Sequence, residues 1–340
     1  MKTVVTRIRP WRHDLAGCLH ACAATLLEHE GMQALETLGA RWGFYYPAGD
    51  FRREEYYFPC RPGVTLLASL APYHPVSSRW HVPADAAQGW FEVRARVALG
   101  TPVAVSVDNY WLPFRPAYQD VHANHLVIVY GFDDENETAR VLDTVPPRFD
   151  GDLPLATLAA ARDSCNDAYH DRDMFFAGSA IANRWLEVTV DHNTRFRPAD
   201  RATIAGYLCR NLAGFAAPDD EADHEGLAGL ESFLRGTRMR LSRGDQIADE
   251  LFVVAGVALA VTALHADWLA DAGTATGVPR LREVSRSVER VAHHWTALRI
   301  AAALTRTGDV SPARLRQRHD ALLADTERTL LEIESVIPEL

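Results

Sequence analysis

The segment HLVIVYGFDDENETARVLDT, residues 125–144, constrains the fold of this chain more than any other. Its first apolar run, residues 126–130, has the length and composition of a buried strand, and DDENE is a polar turn. Residues 139–142 predict a returning strand, so the segment forms an antiparallel hairpin. The start of one strand and the end of the next lie side by side in such a pair. We therefore expect His125 and Asp143 to be neighbours.

A cysteine stands where a helix is predicted to begin, in the stretch GCLHACAATLLEHEG. The apolar spacing predicts a helix over residues 18–30, with Asp14 as the N-cap and Gly31 as the stop. The unpaired N–H groups and the positive dipole end of a helix N-terminus stabilise a thiolate. Cys18 is therefore placed to be a nucleophile.

Cys18, His125 and Asp143 have the residue types of a thiol nucleophile, its base and the acid that orients the base. A lone cysteine is more often a small core residue, so the predicted His–Asp pair is what favours catalysis. His122 competes with His125 for the role of base. Strand alternation places residues three apart on opposite faces, so only one of them faces Cys18, and His125 continues directly into the buried strand. Cys22, one turn further along the helix, is predicted to be core.

A metal site is the alternative use of the cysteines and histidines near the N-terminus. It would draw on Cys18, Cys22, His13 and His20. The C-x-x-x-C spacing is not that of a zinc site, and no second cysteine pair follows. We therefore expect no metal and no bound cofactor.

Three segments in order, GCLHACAATLLEHEG, VAVSVDNYWLPFRPAY and HANHLVIVYGFDDENETARVLDT, resemble the butirosin biosynthesis protein H N-terminal family. The resemblance covers residues 10–190 and implies a papain-like α+β domain, related in layout to the peptidases that mature bacteriocins. It implies acyl or aminoacyl transfer in antibiotic biosynthesis, with Cys18 as nucleophile, His125 as base and Asp143 as its orienting acid. The implied partners are an acyl or peptidyl carrier protein, whose phosphopantetheine thioester is the donor, and a small-molecule amine.

One departure from the pattern concerns the oxyanion hole. The related peptidases place a Gln shortly before the cysteine, whereas Arg12 and His13 occupy that region here. The Cys18 backbone N–H, with Arg12 or His13, would then have to bind the oxyanion. A thioester is already activated, so a weaker hole is less damaging to an acyltransferase than to a peptidase. Two alternatives stay open: a thiol hydrolase or peptidase with the same triad, and a non-catalytic docking partner of a synthetase or carrier protein.

Polar and aromatic residues follow the strand predicted over residues 103–107. Asp108, Tyr110 and Trp111, together with His122, are candidates to line an acyl or acceptor pocket. Ordinary packing of loop aromatics explains them equally well.

The pattern changes along the chain. Residues 1–195 mix helix and strand signals, whereas residues 196–340 carry apolar residues at spacings of three and four. We predict a papain-like domain over 1–195 and an all-α domain over 196–340. The acidic segment 217–226 is expected to be a mobile loop or a solvated connection between helices. Four arginines of the second half are candidates to dock an acidic carrier protein, although a solvated helix face is the simpler account: Arg235, Arg238, Arg240 and Arg243.

Composition limits the partners. With 35 Lys and Arg against 45 Asp and Glu, the 340-residue chain has a net charge of −10, which disfavours nucleic acid. The strongest apolar run, residues 251–264, is shorter than the roughly 20 residues of a membrane span and predicts a buried helix. No apolar secretory segment is visible at the start, and five cysteines without framework spacing fit a reducing compartment. We therefore expect a cytoplasmic protein without membrane or nucleic-acid partners.

Overall fold

The chain has α+β architecture and divides into two compact units. The computed structural model describes residues 1–47, 67–169, 177–191, 199–219, 223–245, 247–305 and 312–340. Unit 1 consists of Met1–Ala34 and Pro75–Asn193, and unit 2 of Leu35–His74 and Thr194–Leu340. The predicted boundary after residue 195 lies two residues from Asn193, where unit 1 ends. Residues 35–74 also belong to unit 2, so unit 1 is discontinuous in sequence.

The helices and strands alternate in the first part of the chain, and helices dominate the second. In chain order they are β1 (Lys2–Val4), α1 (Cys18–His29), α2 (Ala34–Gly39), β2 (Tyr45–Pro47), β3 (Val76–His81), α3 (Ala86–Ala98), β4 (Val103–Asp108), β5 (Asn124–Asp133), β6 (Thr138–Asp143), β7 (Phe149–Pro154), α4 (Leu155–Arg162), β8 (Trp185–Val190), α5 (Arg201–Phe215), β9 (Asp223–Glu225), α6 (Gly226–Ser242), α7 (Ala248–Thr276), α8 (Pro279–Thr305) and α9 (Pro312–Val336).

Unit 1 is built on an antiparallel sheet in the order β3-β8-β4-β5-β6-β7, with β1 beside the far end of β5. The predicted hairpin is confirmed as β5 and β6. Every residue of β4 is buried, and so is β5 from His125 onward. Such runs of Val, Leu and Ile are typical of strands covered on both faces. The buried centre of the sheet therefore holds the ends of β4, β5 and β6 in fixed positions.

The register of the sheet decides which side chains share a face. Val107 pairs with His125, and Asp108 pairs with Asn124. Since neighbouring side chains of a strand alternate between faces, His125 and Asp108 point to opposite sides of the sheet. Asp143 follows Leu142, the partner of Ile128, and so lies on the same face as His125.

Helix α1 packs against β4, β5 and β8. It ends at His29, and Gly31 follows in the left-handed conformation with φ 83°. The Met32 N–H donates to the Leu27 carbonyl at 2.9 Å and the Gly31 N–H to the Glu28 carbonyl at 3.2 Å, the two bonds of a Schellman motif. The predicted stop at Gly31 is therefore confirmed.

Unit 2 is mostly helical, with a core formed among α5 to α9. Three aromatic residues of the early segment, Trp42, Phe44 and Tyr46, are buried in this core. The Trp42 indole N–H donates to Thr262 Oγ1 at 3.2 Å, which ties the segment to α7. This apolar burial explains why residues 35–74 belong to unit 2, which no local pattern in the sequence indicates.

Two details of unit 2 bear on the predictions. The acidic segment 217–226 contains β9, which pairs with β2, so residues 223–225 form a strand rather than a mobile loop. Residues 220–222 lie outside the described residues. Among the described helices, α7 alone is long and apolar enough to cross a membrane, yet 78% of its apolar window is buried within the protein, as in a core helix.

Candidate active site

Cys18 is the first residue of α1, and the helix start lacks a side-chain cap. Gly17 is the N-cap, and the first turn contains no acidic residue. The expectation that Asp14 caps the helix is wrong: Asp14 is exposed and accepts from Arg12 Nη2 at 2.7 Å, since the helix begins four residues later. By contrast, Asp85 caps α3 with a 2.8 Å bond from the Gln88 N–H. The N–H groups at the start of α1 are therefore left for the thiolate or an incoming oxyanion.

His125 lies between Asp143 and Cys18. His125 Nε2 and Asp143 Oδ2 are 2.8 Å apart, and both side chains are buried. The Cys18 thiol lies beside the same imidazole, and the two groups shift each other's pKa through charge and hydrogen bonding. Because Nε2 is engaged by Asp143, Nδ1 is the nitrogen that faces the sulfur. The hairpin and the helix start thus bring the three predicted residues together in the order Cys18, His125, Asp143.

The charges of this group support one another. Burial alone would raise the pKa of the Cys18 thiol, but the neighbouring His125 and the Leu126 backbone outweigh burial, and the pKa falls below its usual 9.0. Burial alone would lower the pKa of His125, but Cys18 and Asp143 raise it from 6.5 to about 9. Both shifts favour a thiolate–imidazolium pair. Cys18 is only partly buried, so a reagent has access to it.

Cys22 differs from Cys18 in its surroundings. It is 5% exposed, and burial, followed by Cys18 and Asp143, raises the pKa of its thiol well above 9.0. Cys22 therefore stays a neutral thiol in the core, as predicted. Cys60 lies outside the described residues, and within the described ranges no group of three or more His, Cys, Asp or Glu is arranged to hold a metal ion.

Arg115 is a contact of the site that sequence reasoning missed. Its Nη1 lies 3.2 Å from Asp143 Oδ2, the oxygen that also binds His125, and it donates to the Val145 and Pro146 carbonyls at 3.2 and 3.3 Å. The other carboxylate oxygen, Oδ1, accepts from the Val145 N–H at 2.9 Å. Asp143 is thus held from three directions.

The two residues predicted to support an oxyanion have other contacts. Arg12 is exposed and forms an ion pair with Asp14. His13 stacks on Trp11 with ring centroids 6.2 Å apart, and its Nδ1 accepts from the Leu15 N–H at 3.2 Å. These contacts of Arg12 and His13 hold the turn before α1, and none of them is made to Cys18.

The predicted pocket residues form a second histidine–carboxylate pair. His122 Nδ1 and Asp108 Oδ2 are 2.7 Å apart, and Asp108 also accepts from Ser164 Oγ at 2.7 Å and from the Tyr110 and Ala123 N–H groups. Tyr110 stacks on the His122 ring at 4.2 Å. This pair lies on the opposite face of the sheet from His125. It ties together the two ends of the β4–β5 loop, residues 109–123.

Comparison with known proteins identifies the segment that carries these residues. Residues 17–144 match the family model of butirosin biosynthesis protein H, N-terminal. This segment belongs to that family of domains. A comparison with curated proteins finds none that matches the chain.

The butirosin biosynthesis protein H segment is bounded by the candidate residues themselves. It begins one residue before Cys18 and ends one residue after Asp143. It includes both histidine–carboxylate pairs and Arg115, whereas Arg12 and His13 precede it. Trp111, the remaining pocket candidate, also lies within it, is 37% exposed and contacts Tyr110 edge to face at 5.3 Å.

Proposed function

We propose that this chain is an acyltransferase that uses Cys18 as its nucleophile, within a papain-like domain. The observation that carries the proposal is the continuous group Cys18–His125–Asp143, with the thiol at an uncapped helix start and the imidazole between thiol and carboxylate. A nucleophile, a base beside it and an acid that orients the base are the parts that covalent acyl transfer requires.

The first half of the proposed reaction forms an acyl-enzyme. The Cys18 thiolate attacks the carbonyl carbon of a thioester, and N–H groups at the start of α1 stabilise the negative oxygen. The carbon–sulfur bond of the donor then breaks. Protonated His125 gives its proton to the leaving thiolate, and Cys18 holds the acyl group as a new thioester.

The second half releases the acyl group to an amine. Neutral His125 now accepts a proton from the amine as its nitrogen attacks the Cys18 thioester. Collapse of the tetrahedral intermediate forms the amide and regenerates the Cys18 thiolate beside protonated His125. Asp143 keeps the imidazole oriented and stabilises its positive charge in both halves.

The donor and setting are proposed from the family. The match to butirosin biosynthesis protein H, N-terminal, supports a role in antibiotic biosynthesis, with a phosphopantetheine thioester on an acyl or peptidyl carrier protein as donor and a small-molecule amine as acceptor. A reducing compartment such as the cytoplasm keeps the thiol available. The proposal that arginines of the second half dock the carrier protein has weaker support, because Arg238 is already paired with Asp320 and Arg240 with Glu250.

A thiol hydrolase with the same three residues is the second proposal, because a partly exposed Cys18 accepts an acyl group whichever nucleophile follows. The two functions differ only in the second half of the reaction, where water replaces the amine. A docking partner without catalysis would not require a lowered thiol pKa at Cys18.

The test is intact-mass analysis of the full chain after incubation with carrier-protein thioesters and with a short acyl N-acetylcysteamine thioester. We expect an acyl adduct on the wild-type chain that is absent in Cys18→Ser. Cys209→Ser is the matched control, because Cys209 is exposed and belongs to unit 2, and it should keep the adduct.

The fate of the adduct separates the alternatives. Adding an amine should discharge the adduct faster than buffer alone and yield an amide. Equal discharge in buffer and amine would favour the hydrolase, and no adduct with any donor would contradict both catalytic proposals.

A further inference from the structure

Arg115 completes a row of alternating charges in unit 1. The row runs from the Cys18 thiolate through protonated His125 and the Asp143 carboxylate to the Arg115 guanidinium. The Arg115 side chain is 11% exposed and that of Asp143 1% exposed, so water screens their contact weakly. Without Arg115 the row carries one uncompensated negative charge, and with Arg115 its charges sum to zero.

The β4–β5 loop holds Arg115 in place. At the base of the loop, Asp108 binds His122 and the Ala123 N–H. Next to the arginine, Phe114 stacks on Phe149 with ring centroids 4.0 Å apart and an interplanar angle of 4°.

The stack places the guanidinium beside its carboxylate. Phe149 pairs directly with Asp143 across β6 and β7. The backbone of the arginine is also held, because the Arg115 backbone N–H donates to the carbonyl of fully buried Leu112 at 2.9 Å. The guanidinium is therefore presented to Asp143 by a packed loop, unlike a flexible surface arginine.

The other groups that face Cys18 and His125 do not supply this positive charge. Cys22, on the same helix, is a neutral thiol. Val107, opposite His125 on β4, is apolar, and Asp108 points to the other face. Burial lowers the pKa of His20 to about 4, with a further contribution from His13, so His20 is neutral near pH 7.

We propose that Arg115 is a positioning residue of the site, which holds Asp143 against His125 and cancels the carboxylate charge that opposes ionisation of Cys18. This inference rests on the proposed function. It assigns Arg115 no contact with substrate. The Asp143 charge itself works against the thiolate, so a cation on the same carboxylate oxygen favours the thiolate at a distance.

The test is the pH dependence of Cys18 alkylation by iodoacetamide in the full chain, followed by peptide mass mapping. Removing the Arg115 charge disfavours the thiolate, so Arg115→Gln should raise the midpoint by about half to one pH unit. Arg115→Lys keeps a positive charge, so it should shift the midpoint by less than half of the shift that Arg115→Gln causes. Arg94→Gln is the matched control, because Arg94 pairs with Asp134 elsewhere in unit 1 and should leave the midpoint unchanged.

A double-mutant comparison shows whether Arg115 acts through the carboxylate. In an Asp143→Asn background, the shift caused by Arg115→Gln should fall to less than half of its value in the wild type. If Arg115→Gln does not fold, Arg115→Met, which keeps the apolar stem, replaces it. A purely structural arginine would lower thermal stability and leave the midpoint in place.

The outcomes separate this inference from the proposed function. A wild-type Cys18 with the midpoint of an ordinary thiol would contradict the proposed function. A lowered wild-type midpoint that Arg115→Gln does not move, or that Arg115→Lys moves equally, would overturn the role of Arg115 alone.

Discussion

Among its described residues, unit 1 contains two buried histidine–carboxylate pairs at one end of its sheet, and the two have nearly equal geometry. His125 and Asp143 are 2.8 Å apart, and His122 and Asp108 are 2.7 Å apart. All four side chains are buried. Their third partners differ: a thiol at a helix start for the first pair, and a serine hydroxyl with two backbone N–H groups for the second.

The neighbours of a histidine–carboxylate pair therefore decide what the pair does. The two oxygens of Asp108 accept from four donors, three of which belong to the β4–β5 loop, so the His122–Asp108 pair stabilises the loop. Asp143 shares one oxygen between His125 and Arg115, and the far side of the imidazole meets Cys18. The second pair holds the loop that brings Arg115 to the first.

Removing the imidazole of each pair should give the largest contrast. His125→Ala leaves the partly buried Cys18 thiol without its proton partner, so acyl-adduct formation from a short thioester should fall by about 10²- to 10⁴-fold. His122→Ala should instead lower the unfolding free energy by about 1 to 3 kcal/mol, because Asp108 loses a buried donor. Adduct kinetics and denaturant titration measure the two effects. Equal rate losses in both variants would contradict the division of roles.

Neutralising the two carboxylates sharpens the same contrast. Asp143→Asn removes the charge that stabilises protonated His125, and the rate of acyl-adduct formation should fall by about 10²-fold. Asp108→Asn should cost about 2 to 4 kcal/mol of unfolding free energy, since a fully buried acceptor of four hydrogen bonds is altered. In Asp108→Asn, the rate at which iodoacetamide alkylates Cys18 should stay within about twofold of the wild-type rate. A stable Asp108→Asn protein with slow alkylation would place the second pair in the chemistry.

The helix start offers a smaller effect. An added Cβ at Gly17 meets no atom within 4 Å, so Gly17→Ser has room for its side chain. The serine hydroxyl should accept an N–H of the first turn and stabilise the protein by about a few tenths of a kcal/mol. It then competes with the oxyanion, so acyl transfer should slow by about 3- to 10-fold. Unchanged turnover in the stabilised variant would remove the helix start from the mechanism.

The pH dependence of stability tests the charge of His125. The pKa of His125 is raised from 6.5 to about 9, so its charge stabilises the folded state fully below about pH 6.5. That stabilisation is lost as the pH rises through about 9. The difference in unfolding free energy between wild type and His125→Gln should therefore shrink between about pH 6.5 and 9. Cys18→Ser should narrow this pH range, because Cys18 is one of the groups that raise the pKa of His125. A difference that stays constant from pH 6 to 9.5 would contradict the raised pKa of His125.

The parts of the site that follow from local patterns could be predicted from the sequence. The hairpin places His125 beside Asp143 by alternation, and the helical spacing places Cys18 at a helix start, and neither step needs knowledge of distant contacts. The approach of Cys18 to His125 depends on the packing of α1 against β5. The predicted N-cap failed because Asp14 resembles a cap, whereas the chain makes a further turn and starts the helix after Gly17.

The remaining parts depend on contacts between distant segments. Strand β3 pairs with β8 more than a hundred residues away, and residues 35–74 belong to unit 2 through buried aromatics. Arg115 reaches Asp143 through a loop whose position depends on the Phe114–Phe149 stack. An arginine in a loop gives no periodic signal, so its role was not predictable.

We propose that Cys18 is a thiolate because His125 faces it, and a pH titration of Cys18 is the decisive test. The rate of iodoacetamide alkylation at Cys18 is measured against pH in wild type, His125→Gln and His122→Gln. We predict a wild-type midpoint below the usual thiol pKa of 9.0. In His125→Gln the midpoint should lie above 9.0, because burial and the Asp143 charge then outweigh the remaining Leu126 backbone contact. In His122→Gln the midpoint should stay near that of wild type. A wild-type midpoint at or above 9.0, or one that His125→Gln does not raise, would contradict the account.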